Sequence, residues 1–435
     1  MNKAGHIVAW ATLTLLLAPG LPGCGKSDEP PPAKGPAPAA LTVWAHAGQE
    51  TERATLQAQV ARFQEARPDL ALRLSFLPER TYNAQIQAAA LAGELPDVLE
   101  LDGPYVANYA WQGHIAPLDG LLPATLVADL LPSLQAQGRY AGRLYAVGVF
   151  DSGLGLYGRR SALEEAGLRL PAGAEEAWSA AEFDAVLAAL AARDTDGAVL
   201  DLKLNYGGEW YTYAFSPLLV SAGADLIDRR DYRHARGVLD SPAAVATLRR
   251  VQGWLNGAYV DPNVDDAAFT SGRVALSWAG HWEYRRYREA AGADLVVLPL
   301  PDFGHGSRTG QGSWAWAVRR DSARAREAAA FLQFLLRPEE VLAMTAANSA
   351  VPGTRTALSR SPRYGEGGPL RLFARQLLAG QAVPRPPTPA YPAITSAFQQ
   401  AFVDIRNGAD AAAALGRAAA LIDRDIADNR GYPPP

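Results

Sequence analysis

The sequence predicts an α/β fold in which helices cover both faces of a parallel β-sheet. Strand-length apolar segments alternate with helical segments over residues 41–101, an order typical of strand–helix–strand units. The residues after position 40 are too many for one simple core, which indicates two domains. The chain is 49% apolar and 20% charged, so its composition is that of an ordinary globular protein.

The first elements follow one another closely along the chain. Apolar or alternating segments predict strands at 41–45, 70–77 and 97–101. A helix after the first strand carries Leu56, Val60 and Phe63 at helical spacing. A second helix is expected from Thr81 to Ala92, where Gly93 ends it. These elements are enough for one strand–helix–strand–helix–strand unit.

The later elements are predicted from local start and stop signals. Ser179 and Glu182 form a capping box, and Ser241-Pro242 is a second helix start. Asp194 to Gly197 lacks the distal glutamate of a calcium-binding loop, so we expect a turn there. The other expectations are a strand-rich stretch at 139–159, a strand at 295–301, and a helix at 323–336 followed by mostly helical chain.

The N-terminus has the features of an anchored secretory leader. Residues 1–23 combine Lys3 with a short apolar stretch, which predicts a signal peptide. The ending Leu21-Pro22-Gly23-Cys24 resembles a bacterial lipobox, which implies that Cys24 is lipidated. Residues 24–40 are proline-rich and predict an extended tether. The alternative is an ordinary signal peptide with an incidental cysteine.

Composition argues against several classes of function. A net charge of −4 without a long basic run argues against nucleic acid as a partner. No apolar run after residue 24 is long enough to span a bilayer. The single cysteine leaves no disulfide, and six scattered histidines do not make a zinc site. We therefore expect no metal and no cofactor.

The aromatic residues favour a sugar ligand. The chain has ten tryptophans and sixteen tyrosines, many of them beside Gly, Asp or Glu. The flat face of a pyranose stacks on an indole, and its hydroxyls bond to charged acceptors. The alternative for any one of these residues is a place in the core.

Five segments resemble, in order, the family 1 extracellular solute-binding proteins, which include maltose-binding protein. These proteins are the substrate-binding subunits of ABC importers. The segments are LTVWAHAGQETERATLQAQVARFQEARPDLAL, LAGELPDVLELDGPYVANYAWQGHIAPLDGLL, YAGRLYAVGVFDSGLGLYGRRSALEEAGL, AAFTSGRVALSWAGHWEY and VVLPLPDFGHGSRTGQGSWAWAVRRDSARAREAAAFLQFLLRPEE.

The resemblance implies a two-lobed, periplasmic-binding-protein-like fold with a hinge and a ligand cleft between the lobes. Lobe one is expected at 41–150 plus 295–340, and lobe two at 151–294 plus 341–435. It also implies a monomer outside the cytoplasm that binds a carbohydrate, closes on it, and delivers it to permease subunits while anchored to the membrane.

The resemblance also implies ligand contacts, position by position. On lobe one, Trp44, Glu79, Asp102 and Tyr105 follow the first three strands, at the carboxyl edge where ligands of parallel sheets bind. The remaining candidates are Asp151 at the crossover, Glu209, Trp210 and Tyr211 at a helix start, Trp282 in a Gly-x-Trp turn, Trp314 and Trp316 on one strand face, and Arg355 in a loop.

Two other functions remain open from the sequence. A carbohydrate hydrolase can use a pair of carboxylates such as Asp102, Asp151 or Glu209, although no paired-carboxylate motif occurs at a fixed spacing. An anchored structural or signalling protein is the third possibility. We expect no catalytic residues, because the resemblance implies binding without chemistry.

Overall fold

The computed structural model describes residues 40–263 and 265–434. The predicted signal peptide, Cys24 and the tether up to residue 39 lie outside the described residues. The strands are β1 Leu41–His46, β2 Leu72–Leu77, β3 Val98–Asp102, β4 Arg139–Tyr140, β5 Arg143–Leu144, β6 Ala146–Val147, β7 Phe150–Asp151, β8 Leu154–Arg159, β9 Leu200–Asp201, β10 Leu276–Gly280, β11 Leu295–Leu298, β12 Thr309–Gln311, β13 Trp314–Val318, β14 Val351–Pro352 and β15 Ala382–Pro384.

The helices include most of those expected from the local signals. They are α1 Glu50–Ala66, α2 Tyr82–Ala92, α3 Val106–Trp111, α4 Ala124–Asp129, α5 Pro132–Gln137, α6 Arg160–Glu165, α7 Ala180–Ala191, α8 Glu209–Ser221, α9 Pro242–Asn256, α10 Tyr284–Ala291, α11 Ala325–Leu335, α12 Pro338–Asn348, α13 Arg355–Ser359, α14 Arg371–Leu378, α15 Tyr391–Arg406 and α16 Ala411–Asp428. The capping box is confirmed, because the Ser179 side chain accepts from the amide of Glu182 and the Glu182 carboxylate accepts from the amide of Ser179.

The first sheet has the strand order β2-β1-β3-β13-β6. Its first three strands are parallel, as predicted, and β13 joins them antiparallel to β3. One face packs against α1 and α11 through Phe63 and Phe331. The other face packs against α2 and α3 through Ile86 and Val106. We call this sheet with its helices the first lobe.

The second sheet has the order β11-β8-β10-β9. Helices α7, α8, α9, α15 and α16 contribute buried side chains to one large core with it. We call this body the second lobe. The chain passes from the first sheet to the second between β6 and β8, and returns between β11 and β13.

The lobe boundaries expected at 295 and 341 are wrong in detail. Strand β11 pairs antiparallel with β8, with Leu295 opposite Arg159, so it lies in the second sheet. Helix α12 continues the first lobe past residue 341, because Met344 is part of its core. Hydrogen bonds between neighbouring strands and side-chain packing decide both boundaries, and neither is visible as a local sequence signal.

Candidate functional site

The carboxyl edge of the first sheet brings three chemically distinct side chains close together. His46 ends β1, Asp102 ends β3, and Trp314 begins β13 directly opposite Asp102 in the register. Parallel strands end at the same edge, and the antiparallel β13 begins there. This edge faces the second lobe, because the Gln49 side chain just beyond β1 donates to the carbonyl of Trp282 at 2.8 Å.

His46 lies flat against Trp314. The ring centroids are 4.0 Å apart with an interplanar angle of 6°, and Tyr82 meets both rings edge-on. Glu100 Oε2 accepts from the His46 amide at 3.0 Å and lies 2.8 Å from His46 Nδ1. Burial alone lowers the pKa of His46, but the carboxylates of Glu100, Glu52 and Glu79 together outweigh it and raise the pKa to about 9, with Glu100 contributing most. One face of the Trp314 indole is therefore covered by a histidine that is protonated at neutral pH.

Asp102 and Glu209 share the guanidinium of Arg385. Arg385 donates to both oxygens of Asp102, at 3.0 and 2.7 Å, and to Glu209 Oε1 at 2.7 Å. Tyr391 and Thr395 also donate to Glu209. Burial raises the pKa of Glu209 although Arg385 opposes the shift. Asp102 comes from the first lobe and Glu209 from the second, so this cluster lies where the lobes meet.

Two consecutive glycines place Glu209 at the start of α8. Gly207 and Gly208 have φ values of 60° and 56°, a region that residues with a side chain rarely adopt. The chain can therefore turn directly into the helix. Glu209 then lies in the first turn of α8, where a carboxylate is favoured by the free N–H groups of the helix start.

Aromatic rings from the second lobe form a wall around Trp282. Trp282 lies 6.1 Å from Trp210 and 6.2 Å from Tyr213, measured between ring centroids. Its indole N–H donates to the Tyr206 hydroxyl at 3.4 Å, and that hydroxyl donates to Glu283 at 2.6 Å. Trp282 itself is only half-buried, so part of its surface remains available to a ligand.

The structure brings several predicted residues to this region. Asp102, Tyr105 and Glu209 belong to the Arg385 cluster, where Tyr105 packs edge-on against Tyr391. Trp44 and Trp314 are half-buried at the first-lobe edge. Glu79 follows the end of β2 and is exposed. Trp210 is buried behind Trp282, where its indole donates to the carbonyl of Leu202.

Three predicted contacts are core residues instead. Trp316 is 2% exposed and packs edge-on against Phe331, and Tyr211 stacks on Phe402. Asp151 is 0% exposed; it accepts from the amide of Ser152 and the side chain of Gln311, and burial raises its pKa. These side chains hold the core and the crossover together, so their assignment as ligand contacts is corrected.

Arg355 is not part of the cluster. It is exposed at the start of α13, and its side chain makes no ion pair or hydrogen bond with the residues that the structure describes. The arginine between the lobes is Arg385, which the sequence reasoning missed. Arg385 lies in the segment Pro384-Arg385-Pro386-Pro387, where prolines obscure any regular pattern, and a lone arginine there carries no signal of a site.

Within the described residues, Asp228, Asp231 and His234 form a group with ligand atoms close enough to hold a metal ion. Asp231 and His234 are exposed, and Asp228 is already held by a bidentate Arg230. This group lies outside the sheet-edge region described above, and nothing in the cleft chemistry depends on it. Among the described helices, none has the length and apolar character needed to cross a membrane.

Residues 47–341 match the family model described as bacterial extracellular solute-binding protein. The chain belongs to this family. This solute-binding protein is 25% identical over 387 residues to an uncharacterized lipoprotein in the oleD 5' region of Streptomyces antibioticus, which covers 85% of this chain and 81% of that protein.

Solved structures share the fold of this solute-binding protein. The GacH receptor of Streptomyces glaucescens GLA.O superposes with a TM-score of 0.74 at 24% identity, covering 91% of this chain and 99% of that one. The substrate-binding protein Lmo0181 of Listeria monocytogenes gives a TM-score of 0.77 at 16% identity, covering 89% and 99%. These matches confirm the two-lobed fold expected from the sequence.

Proposed function

We propose that this chain is the membrane-anchored, extracytoplasmic substrate-binding protein of an ABC importer and that it captures a di- or oligosaccharide for the permease. One observation carries the proposal. Each lobe contributes a tryptophan and a carboxylate to the region between them, Trp314 with Asp102 from the first lobe and Trp282 with Glu209 from the second.

This arrangement suits a sugar better than most other solutes. Two partly open indoles can stack on the C–H faces of successive pyranose rings. Carboxylate and guanidinium groups between them offer acceptors and donors to the ring hydroxyls. A purely apolar ligand could form no hydrogen bonds with these groups.

Two relatives of the same fold support the carbohydrate class. The GacH receptor structures include complexes with acarbose and an acarbose homolog, and Lmo0181 was solved in complex with cycloalternan. The similar Streptomyces antibioticus protein is a lipoprotein, which agrees with an anchor at Cys24. We propose a monomer, with the permease subunits as its protein partners.

The carboxylate geometry does not favour the hydrolase alternative. Asp102 and Glu209 bind the same guanidinium, and Asp151 is enclosed by hydrogen-bond donors at the crossover. A glycosidase needs one protonated and one free carboxylate on either side of a glycosidic bond. We therefore propose binding without turnover and no catalytic residues.

Thermal shift with a panel of linear and cyclic oligosaccharides tests the proposal. A ligand at 100 times its Kd stabilises the folded state by about 2.7 kcal/mol, so a bound sugar raises the melting temperature. Product analysis of the same mixtures is expected to show the sugar unchanged. Hydrolysis of a panel member, or no shift with any sugar while amino acids or peptides produce one, contradicts the proposal.

A further inference from the structure

Arg385 comes from a part of the chain that the family match does not include. The match ends at residue 341, and Arg385 follows β15, which pairs with β12 on the path between the two sheets. Its side chain is 5% exposed. A buried guanidinium at this place requires a reason, because removing such a charge from water is expensive unless carboxylates compensate it. Among the described residues Nη1 and Nη2 have carboxylate partners, whereas the buried Nε has none.

The partners of Arg385 belong to different lobes. The bidentate contact to Asp102 reaches the end of β3 in the first sheet. The contact to Glu209 reaches the first turn of α8, which is packed in the core of the second lobe. One side chain thus joins two carboxylates that would otherwise approach each other as like charges when the lobes meet.

The surroundings hold the guanidinium in a fixed orientation. It lies 5.0 Å from the ring centre of Tyr213, a favourable cation–π position. Tyr391 donates to Glu209 and contacts Tyr105 of the first lobe. Close by, the Asn108 side chain of the first lobe donates to the carbonyl of Pro389 at 2.7 Å. The segment that carries Arg385 therefore contacts both lobes.

We propose that Arg385 is a positioning residue that ties Asp102 to Glu209 and keeps the two lobes together before a ligand arrives. In this arrangement one guanidinium holds both carboxylates in fixed positions relative to each other. Without Arg385, closure brings the carboxylates of Asp102 and Glu209 together with no cation between them, and the open arrangement is favoured. The inference rests on the proposed function only in identifying these carboxylates as ligand contacts.

Small-angle scattering of the ligand-free full chain tests whether Arg385 holds the two lobes together, without any sugar present. We expect Arg385→Met to increase the radius of gyration relative to wild type. Arg385→Lys is expected to give a smaller increase, because lysine keeps the positive charge but cannot make the bidentate contact of a guanidinium. Arg385→Met combined with Glu209→Gln is expected to return toward the wild-type value, since the repulsion is removed. Arg355→Met is the matched control, because Arg355 is exposed and pairs with none of the described residues.

Circular dichroism melts accompany each variant, so that opening is distinguished from unfolding. An unchanged radius of gyration in a folded Arg385→Met protein overturns the inference. If Arg385→Met does not fold, Arg385→Lys provides the test, and an unchanged radius of gyration in that variant also overturns the inference. A parallel titration of the wild type with the same panel of linear and cyclic oligosaccharides bears on the proposed function alone. If no sugar binds although Arg385→Met opens the lobes, the role of Arg385 stands and the carbohydrate ligand is refuted.

Discussion

Trp314 and Trp316 lie two residues apart on β13, yet the structure gives them different roles. Trp314 is half-buried at the sheet edge, whereas Trp316 is enclosed by the first-lobe core. We expect Trp314→Ala, and likewise Trp282→Ala, to weaken sugar binding by about 1–3 kcal/mol, or roughly 5- to 150-fold in Kd, with little loss of stability. Isothermal titration measures this loss.

Trp316→Ala is the internal control, because removal of a buried tryptophan costs about 3–5 kcal/mol of folding stability. Urea unfolding of both variants separates the two roles. Equal binding by Trp314→Ala and wild type, or a collapse of its stability comparable to that of Trp316→Ala, would show that Trp314 is structural.

His46 is expected to make the free energy of unfolding fall as the pH rises into the alkaline range. Its folded-state pKa of about 9 lies above the ordinary value of 6.5, so the stabilisation is fully present below pH 6.5 and is lost as the pH rises through 9. Linkage puts the loss at about 3 kcal/mol at most. We expect the wild type to lose more unfolding free energy between pH 6.5 and 9.5 than His46→Gln does, measured by urea denaturation. Parallel pH profiles for the two proteins contradict the prediction.

At the scale of single elements, α7 depends on its capping box. The Ser179 hydroxyl accepts from the Glu182 amide, and the Glu182 carboxylate accepts from the Ser179 amide at 2.8 Å. Loss of such a cap costs about 0.5–2 kcal/mol. Ser179→Ala is expected to lower the unfolding free energy by this amount, while Ser179→Asn retains it, since asparagine caps helices as well as serine does. If Ser179→Asn has the same lowered melting temperature as Ser179→Ala, Ser179 does not act as a cap.

For the whole molecule, the proposed anchor determines where the protein is found. Lipidation of Cys24 is expected to hold the wild type in the membrane fraction, because the acyl chains insert into the bilayer. Cys24→Ala removes the acyl attachment, so we expect the protein in the soluble extracytoplasmic fraction with an unchanged melting temperature. Cell fractionation followed by immunoblotting measures this shift. Continued sedimentation of Cys24→Ala with membranes would refute the lipoprotein assignment.

The sequence by itself determined the elements whose signals are local. The strands and helices between Leu41 and Asp102 follow from apolar spacing, Gly93 and Pro96, and the Ser179 cap follows from four adjacent residues. The placement of Asp102 at a sheet edge also follows, because a parallel strand ends where its apolar run ends. These features depend on residues close together in the chain, so their pattern is visible without the fold.

Only the tertiary structure decided which side chains meet. Arg385 binds Asp102 across 283 residues of sequence, and no local pattern encodes such a pairing. The same is true of β11, which joins the second sheet, and of Trp316, which shares a strand face with Trp314 but is covered by Phe331 from α11. Burial and long-range ion pairing depend on how complete elements pack, and therefore the cleft could be anticipated from the sequence while the residue that ties it together could not.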